Sequence, residues 1–485
     1  MRTARLRRTI SRARRAVARA AGSRSLPLRR LAGPAVLVAV LALLVRLLYL
    51  GDVAPGLHTP TQPGVRMAAR YSDAAAALLD GDGLLYPRVW PEPSDTAIVS
   101  RPPGYPAFVA LVHAVAGRTY VAVLSAQALL AVLAPVLLLV LTSRAVGRRA
   151  GLAAGLVGAV SPPLGHYAAV FTPDALSALL AVAIVTVLWC GRRRPAAAAI
   201  VAGALAGVAT WLRPNFLLLP LLLPVALWLA WPARCSAWRA TLVVVTAWAI
   251  VAPITIRNYR LYGELVPVSS NFGIVLWEGI ADLGGERFGA HPADREVARG
   301  EAALLGDARY AEWWASPDGI RRDRARVRRS LEVIRAHPRW FAAGCLRRAG
   351  GVLEQQAAAP LVSASLPPPP ADPAERSRWL AVAGAVGRLR APVRWLQQLV
   401  TVPGAWLRAT GLVLLVVLAP RRALLLSTVP LYVLAMQSPV HFEPRFGLPL
   451  YAFSPVFEGL AWAVLLGAAV LGARAVFSGG RGSGR

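Results

Sequence analysis

Apolar residues in this chain fall in long, nearly unbroken runs, and the runs are separated by arginine, proline or short polar turns. Runs at 33–50, 119–142, 151–165, 174–190, 196–212, 216–231, 237–253, 401–419, 422–437 and 448–472 approach or reach the length a helix needs to cross about 30 Å of hydrocarbon. They predict an all-α polytopic transmembrane bundle of about ten spans. The run 104–116, at about 13 residues, is too short to cross and is expected to be re-entrant or interfacial.

Composition fits that pattern: of 485 residues, 56% are hydrophobic. The formal charge of +30 would suggest nucleic acid in a soluble chain. Here the arginines sit between apolar runs, where they orient the chain and meet anionic head groups, so no nucleic-acid partner is expected. Residues 1–30 hold eleven arginines and no acid, with no small-residue cleavage site after them, and read as a cytoplasmic tail. From that start the basic loops Arg144 to Arg149, Arg192 to Arg194, Arg234 to Arg239 and Arg421-Arg422 all fall inside, as does the tail with Arg474, Arg481 and Arg485.

The expected organisation is a cytoplasmic tail at 1–32, a transmembrane region at 33–253 with a first extracytoplasmic loop at 51–118, a second extracytoplasmic segment at 254–400, a transmembrane region at 401–472 and a cytoplasmic tail at 473–485. The second segment has a proline-rich patch from Leu366 to Pro373 and a basic stretch from Arg321 to Arg348. Val327, Leu331, Ile334, Trp340 and Phe341 among those arginines predict amphipathic helices on the membrane surface. Cys190, Cys235 and Cys345 have neither disulfide-framework nor metal-ligand spacing.

With this topology five polar motifs share the outer face: Arg101 before Pro-Pro-Gly-Tyr-Pro, Thr172-Pro173-Asp174, Arg213-Pro214-Asn215, Arg257-Asn258-Tyr259, and His441-Phe442-Glu443-Pro444-Arg445. Any one of them reads as interfacial snorkelling. Together they describe a site, because ionisable groups at membrane depth are costly.

Tyr71 with Gly81 ten residues on, then Arg-Pro-Pro-Gly-Tyr-Pro, Thr-Pro-Asp-Ala-Leu, Ile-Arg-Asn-Tyr and a late Pro-Arg-Phe-Gly-Leu-Pro resemble the GT-C class of integral membrane glycosyltransferases. The nearest likeness is to bacterial proteins similar to dolichyl-phosphate-mannose protein mannosyltransferases and aminoarabinose transferases, the family 39-like group, from about residue 33 to 472. The resemblance implies transfer of a sugar from a polyprenyl-phosphate carrier to an outer-face acceptor, which is a protein, a lipid or a cell-wall glycan. It places the chain in the plasma membrane of a bacterium, among membrane lipids. An acceptor hydroxyl needs a general base, and the leaving phosphate needs planar multidentate donors such as arginine. No Gly-rich phosphate loop follows a strand anywhere in the chain.

Asp174 matches an acid that relatives keep at the start of the same helix, where it would orient the acceptor, bind a metal or act as base. Arg101 and Arg445 are the first choices for the phosphate and Arg213 and Arg257 the next, with Tyr71 and Tyr105 beside them as substrate-binding residues. In one respect the chain departs from the family: the acid that relatives carry three or four positions before this tyrosine is replaced by Met67 and Ala68. Asp73, Asp52 or Asp95 would then be the substitute, or the chain is a catalytically inactive relative. Beyond the donor, the only cofactor to consider is a divalent metal, with Asp174, His441 and Glu443 as its ligands. Trp277, Trp313, Trp314 and Trp340 are expected in the head-group belt or against a sugar, and Glu458 needs a buried partner if charged. A transporter or flippase of a lipid-linked sugar is the other reading, but the chain shows no internal repeat and its motifs gather at one surface.

Overall fold

The computed structural model describes residues 28–53, 63–84, 101–230, 237–291, 294–305, 319–354, 359–365 and 387–479, with isolated positions at 308, 373, 376 and 377. Among these residues the regular structure is helical throughout. In chain order the helices are α1 (Ala32–Val53), α2 (Pro63–Asp80), α3 (Gly104–Ala116), α4 (Tyr120–Ala131), α5 (Leu133–Ala145), α6 (Arg148–Val160), α7 (Asp174–Cys190), α8 (Pro195–Leu212), α9 (Leu219–Ala230), α10 (Ala237–Tyr262), α11 (Phe272–Asp282), α12 (Asp294–Leu305), α13 (Gly319–Ala336), α14 (Pro338–Glu354), α15 (Arg390–Thr401), α16 (Gly404–Leu418), α17 (Pro420–Gln437) and α18 (Ser454–Gly479). Short helical turns lie between several of them. The chain is an all-α, multi-pass membrane protein.

Every predicted span is met by helix, though several are interrupted. The run 119–142 is α4 and α5 with a break at Val132, and 448–472 is a turn at Leu448–Tyr451 followed by α18. By length and apolar composition four helical stretches among the described residues can cross a membrane: Ala32–Val53, Tyr120–Ala145, Pro195–Leu212 and Ala237–Tyr262. The count is six if two bent pairs, α15–α16 at 50° and Pro444–Tyr451 with α18 at 49°, each make one span. Asp174–Cys190 and Pro214–Ala230 are apolar but shorter. As expected, α3 is too short, at roughly 20 Å of helix.

One core joins the middle of the bundle, with α7 and α8 packed on α10, α17 and the start of α18 through small residues such as Ala181, Ala202 and Ala206. Glu458 on α18 finds its partner in Arg408 of α16, with Nη1 2.9 Å from the carboxylate.

The segment between α10 and α14 is built on α11. Ile274, Trp277 and Ile280 form its core, covered by Ile334 of α13 and by Trp340 and Phe341 of α14. Ile334, Trp340 and Phe341 are half-buried against α11, while Leu331 on α13 stays exposed. One expectation is revised. Trp277 is buried in that core with Arg329 over its ring at 4.8 Å, so it reaches neither head groups nor sugar. Trp313, Trp314, Asp95 and nearly all of the proline-rich patch lie outside the described residues.

Candidate functional site

Asp174 is the centre of the arrangement. Pro173 fixes the chain for the first turn of α7, and Asp174 is that turn's first residue, with no side-chain capping bond at Pro173. The carboxylate does not act as a cap. Its Oδ1 is held by Nη2 of Arg213, and its side chain is only 2% exposed. Oδ2 is buried and has no hydrogen-bond partner among the described residues. Leaving such an oxygen dry and unpaired costs free energy, and orphans of this kind mark places where a proton, a ligand or water belongs.

Arg213 arrives from the end of α8, whose helix stops there because Pro214 cannot continue it. The following turn is pinned by Tyr432 of α17, whose hydroxyl donates to the carbonyl of Asn215 and accepts from the amide of Leu218. The Arg213 guanidinium lies 4.8 Å from the ring centre of Phe446, and that of Arg445 lies 5.1 Å from the same ring. Arg445 also donates to Glu443, with Nη2 2.8 Å from Oε1. Asp174, Glu443 and Tyr71 are all within electrostatic reach of Arg445. Tyr167, on the turn before α7, faces Asp174, Arg445 and Glu443, and burial above all pushes its phenol up to about 12. Two arginines and two carboxylates thus share one patch.

A second, adjacent pocket holds the other two arginines. Arg101, Pro103, Pro106, Arg257, Asn258 and Ala74 line it. Helix α10 runs past the expected end at 253 to Tyr262, so Arg257 and Asn258 lie in its last turns. Asn258 is buried and donates to the carbonyls of Val266 and Val268 at 3.0 and 3.2 Å, which folds the next loop back on the helix. No carboxylate pairs with Arg101 or Arg257 among the described residues. The pocket joins the Asp174 patch through α2 and α3: Ala74 is one turn from Tyr71, and Tyr71 meets the Tyr105 ring edge-on at 4.8 Å. Gly104 makes the junction close, since a Cβ there would sit 2.7 Å from the carbonyl carbon and oxygen of Trp211.

Of the predicted residues, Asp174, Arg213, Arg445, Tyr71, Arg101 and Arg257 come together in these two joined places. Tyr105 is there too, but fully buried, with its hydroxyl 2.8 Å from Oε1 of Gln127, so it shapes the site from behind. Asp73 is exposed beside Tyr120 and lies about 200° around α2 from Tyr71, because two residues cover more than half a helical turn. Asp52 is bound by Arg390 and by the amide of Ser363, so it ties α1 to α15.

The expected metal ligands do not converge. His441 Nδ1 is 2.8 Å from Asp282, Glu443 faces Arg445, and Asp174 faces Arg213, so each has an arginine or acid partner of its own. Among the described residues no group of three His, Cys, Asp or Glu side chains is placed to hold a metal ion. His166 is half-buried beside Tyr49 and Tyr167. Sequence reasoning passed over Gln127 and Asp282. The signal for Gln127 was a lone amide in an otherwise apolar run.

Residues 100–256 match the family model described as dolichyl-phosphate-mannose-protein mannosyltransferase. The match bears out the resemblance to GT-C glycosyltransferases and contains Arg101, Tyr105, Asp174 and Arg213. It ends one residue before Arg257. No curated protein matches the chain. Among solved structures it is similar to the archaeal oligosaccharyltransferase AglB from Archaeoglobus fulgidus in complex with an inhibitory peptide and a dolichol-phosphate, at 12% identity and a TM-score of 0.48, over 92% of this chain and 52% of that one. It is also similar to ArnT from Cupriavidus metallidurans bound to undecaprenyl phosphate, at 16% identity and a TM-score of 0.36, over 89% of this chain and 77% of that one. The chain spans about half the length of the oligosaccharyltransferase.

Proposed function

We propose that this chain is a glycosyltransferase that moves a sugar from a polyprenyl-phosphate carrier to an acceptor hydroxyl on the extracytoplasmic face of the plasma membrane. The observation that carries the reading is the orphaned Oδ2 of Asp174, beside Arg213 and Arg445 and next to the pocket of Arg101 and Arg257. In this account Arg213 fixes the carboxylate by one oxygen, and the other takes the acceptor proton as the hydroxyl oxygen attacks the anomeric carbon. The bond from that carbon to the phosphate oxygen breaks with inversion, and its electrons leave on the carrier phosphate. Arg101 and Arg257 hold that phosphate as its charge grows, and arginine's fork suits two of its oxygens. Asp174 thereby replaces the acid absent at Met67 and Ala68, and the acceptor is a protein, lipid or cell-wall glycan.

The test is turnover by the purified protein in lipid nanodiscs, supplied with polyprenyl-phosphate sugars and with cell-envelope acceptors. The expected result is release of free polyprenyl phosphate in step with glycosylated acceptor. A protein that binds such donors and never consumes one would overturn the proposal in favour of a flippase or an inactive relative.

A further inference from the structure

Gln127 sits in the apolar interior of α4 with no exposed surface. Both ends of its side chain are engaged. Oε1 accepts from the Tyr105 hydroxyl at 2.8 Å, and Nε2 faces the carbonyls of Val170, Ala168 and Tyr167 at 2.8, 3.1 and 3.3 Å. An amide has two N–H donors, so the longest of these three contacts is the shared one. The carbonyls belong to the irregular turn that delivers Thr172, Pro173 and Asp174 into α7. The carbonyls of Tyr167 and Val170 also accept from the amides of Val170 and Thr172 at 3.4 and 2.8 Å, so Gln127 adds a second donor to each of these and supplies the donor at Ala168, tying the turn to α4. On its other side the same amide holds Tyr105, four residues after Arg101 and one after the Gly104 contact with Trp211.

We infer that Gln127 is the positioning residue that sets the Asp174 turn against the Arg101 segment, holding the carboxylate and the phosphate pocket at one fixed separation. The inference rests on the proposed transfer reaction. One side chain, Gln127, reaches the carbonyls of residues 167, 168 and 170 together. A displacement of about 1 Å in a catalytic group is enough to lose on the order of a hundredfold in rate. Donor capture by the arginines tolerates more, since it does not require alignment with the acceptor.

Two variants test this. Gln127→Met keeps the volume and removes every bond. Gln127→Glu keeps an oxygen for Tyr105 but turns a second oxygen on the three carbonyls. The expected result for both is a fall in kcat on the order of 100-fold with donor KM changed less than about fivefold. Tyr105→Phe, which leaves the carbonyl contacts in place, is expected to lose less than about tenfold. Hydrogen–deuterium exchange supplies a reading independent of turnover: amides of residues 167–175 should exchange faster in both Gln127 variants while those of α9 and α10 stay unchanged. Unchanged exchange at 167–175 would overturn the inference, as would faster exchange there with unaltered kcat. If the unmodified protein turns over no donor, the reaction assignment falls, and the exchange measurement still decides whether Gln127 holds the turn.

Discussion

At the scale of single residues, the motifs that met in the fold were those whose chemistry was costly to place near a membrane. Arginine beside proline at 101 and 213, and aspartate after proline at 174, were legible because each interrupts apolar sequence with a charge that needs a reason. Their partners were not legible. Asp174 and Arg213 lie 39 residues apart on different helices, and only the packing of α7 on α8 brings them into contact. Asp73 is near Tyr71 in sequence, but the helical period sets it on another face of α2, where it is exposed. The pocket predicts an order of effects at Arg101. Arg101→Ala should weaken donor binding by about 2 kcal/mol, as for loss of a charged hydrogen bond, and Arg101→Lys by less, because it keeps the charge while losing the planar fork. Donor titration against nanodisc-embedded protein measures both. Equal binding by Arg101→Ala and the unmodified protein would move the phosphate elsewhere.

Individual elements were read more fully than the joints between them. Hydropathy located helix at all ten runs, because burial in lipid demands length and apolar side chains. It missed the breaks at Val132 and at the turn before α18, which leave little trace in an apolar run. The joint between α11, α14 and the loop after α17 was also hidden. There His441 meets Asp282 at 2.8 Å, Arg348 donates to the carbonyls of Ser438 and Gly279 at 3.0 and 2.5 Å, and the amide of His441 bonds the carbonyl of Val275 at 2.8 Å. Gly279 permits that approach, since a Cβ would lie 2.7 Å from the His441 nitrogen. The hydrogen bond to Asp282 holds the His441 pKa above its ordinary 6.5, with Glu443 acting in the same direction and burial and Arg348 against it. A raised folded-state pKa gives stability that is complete below the unfolded value and lost as pH climbs through the folded one. Thermal stability of the unmodified protein should therefore decline relative to His441→Gln as pH rises from about 6 to about 9, in a melting series at fixed ionic strength. Parallel curves would deny the clasp any charge.

For the whole molecule, the arrangement depends on one orientation, in which every short arginine-rich loop is cytoplasmic and the five polar motifs face outward. The charge pattern is what predicts that orientation, whereas the number of complete crossings depends on bends that composition does not encode. With the three native cysteines removed, Glu286→Cys should react with an impermeant maleimide on intact cells and Arg148→Cys should not, both positions being exposed in the fold. The reverse labelling would invert the protein and separate the site from its proposed acceptors. The central claim is that Asp174 takes the acceptor proton during transfer from a polyprenyl-phosphate sugar. The most direct measurement is single-turnover transfer by Asp174→Asn, with donor binding followed in the same sample. The amide keeps the shape of the carboxylate and can stay beside Arg213, so the account predicts donor bound and transfer lost by a factor on the order of 10²–10⁴. Transfer at the unmodified rate with the donor equally well bound would contradict it.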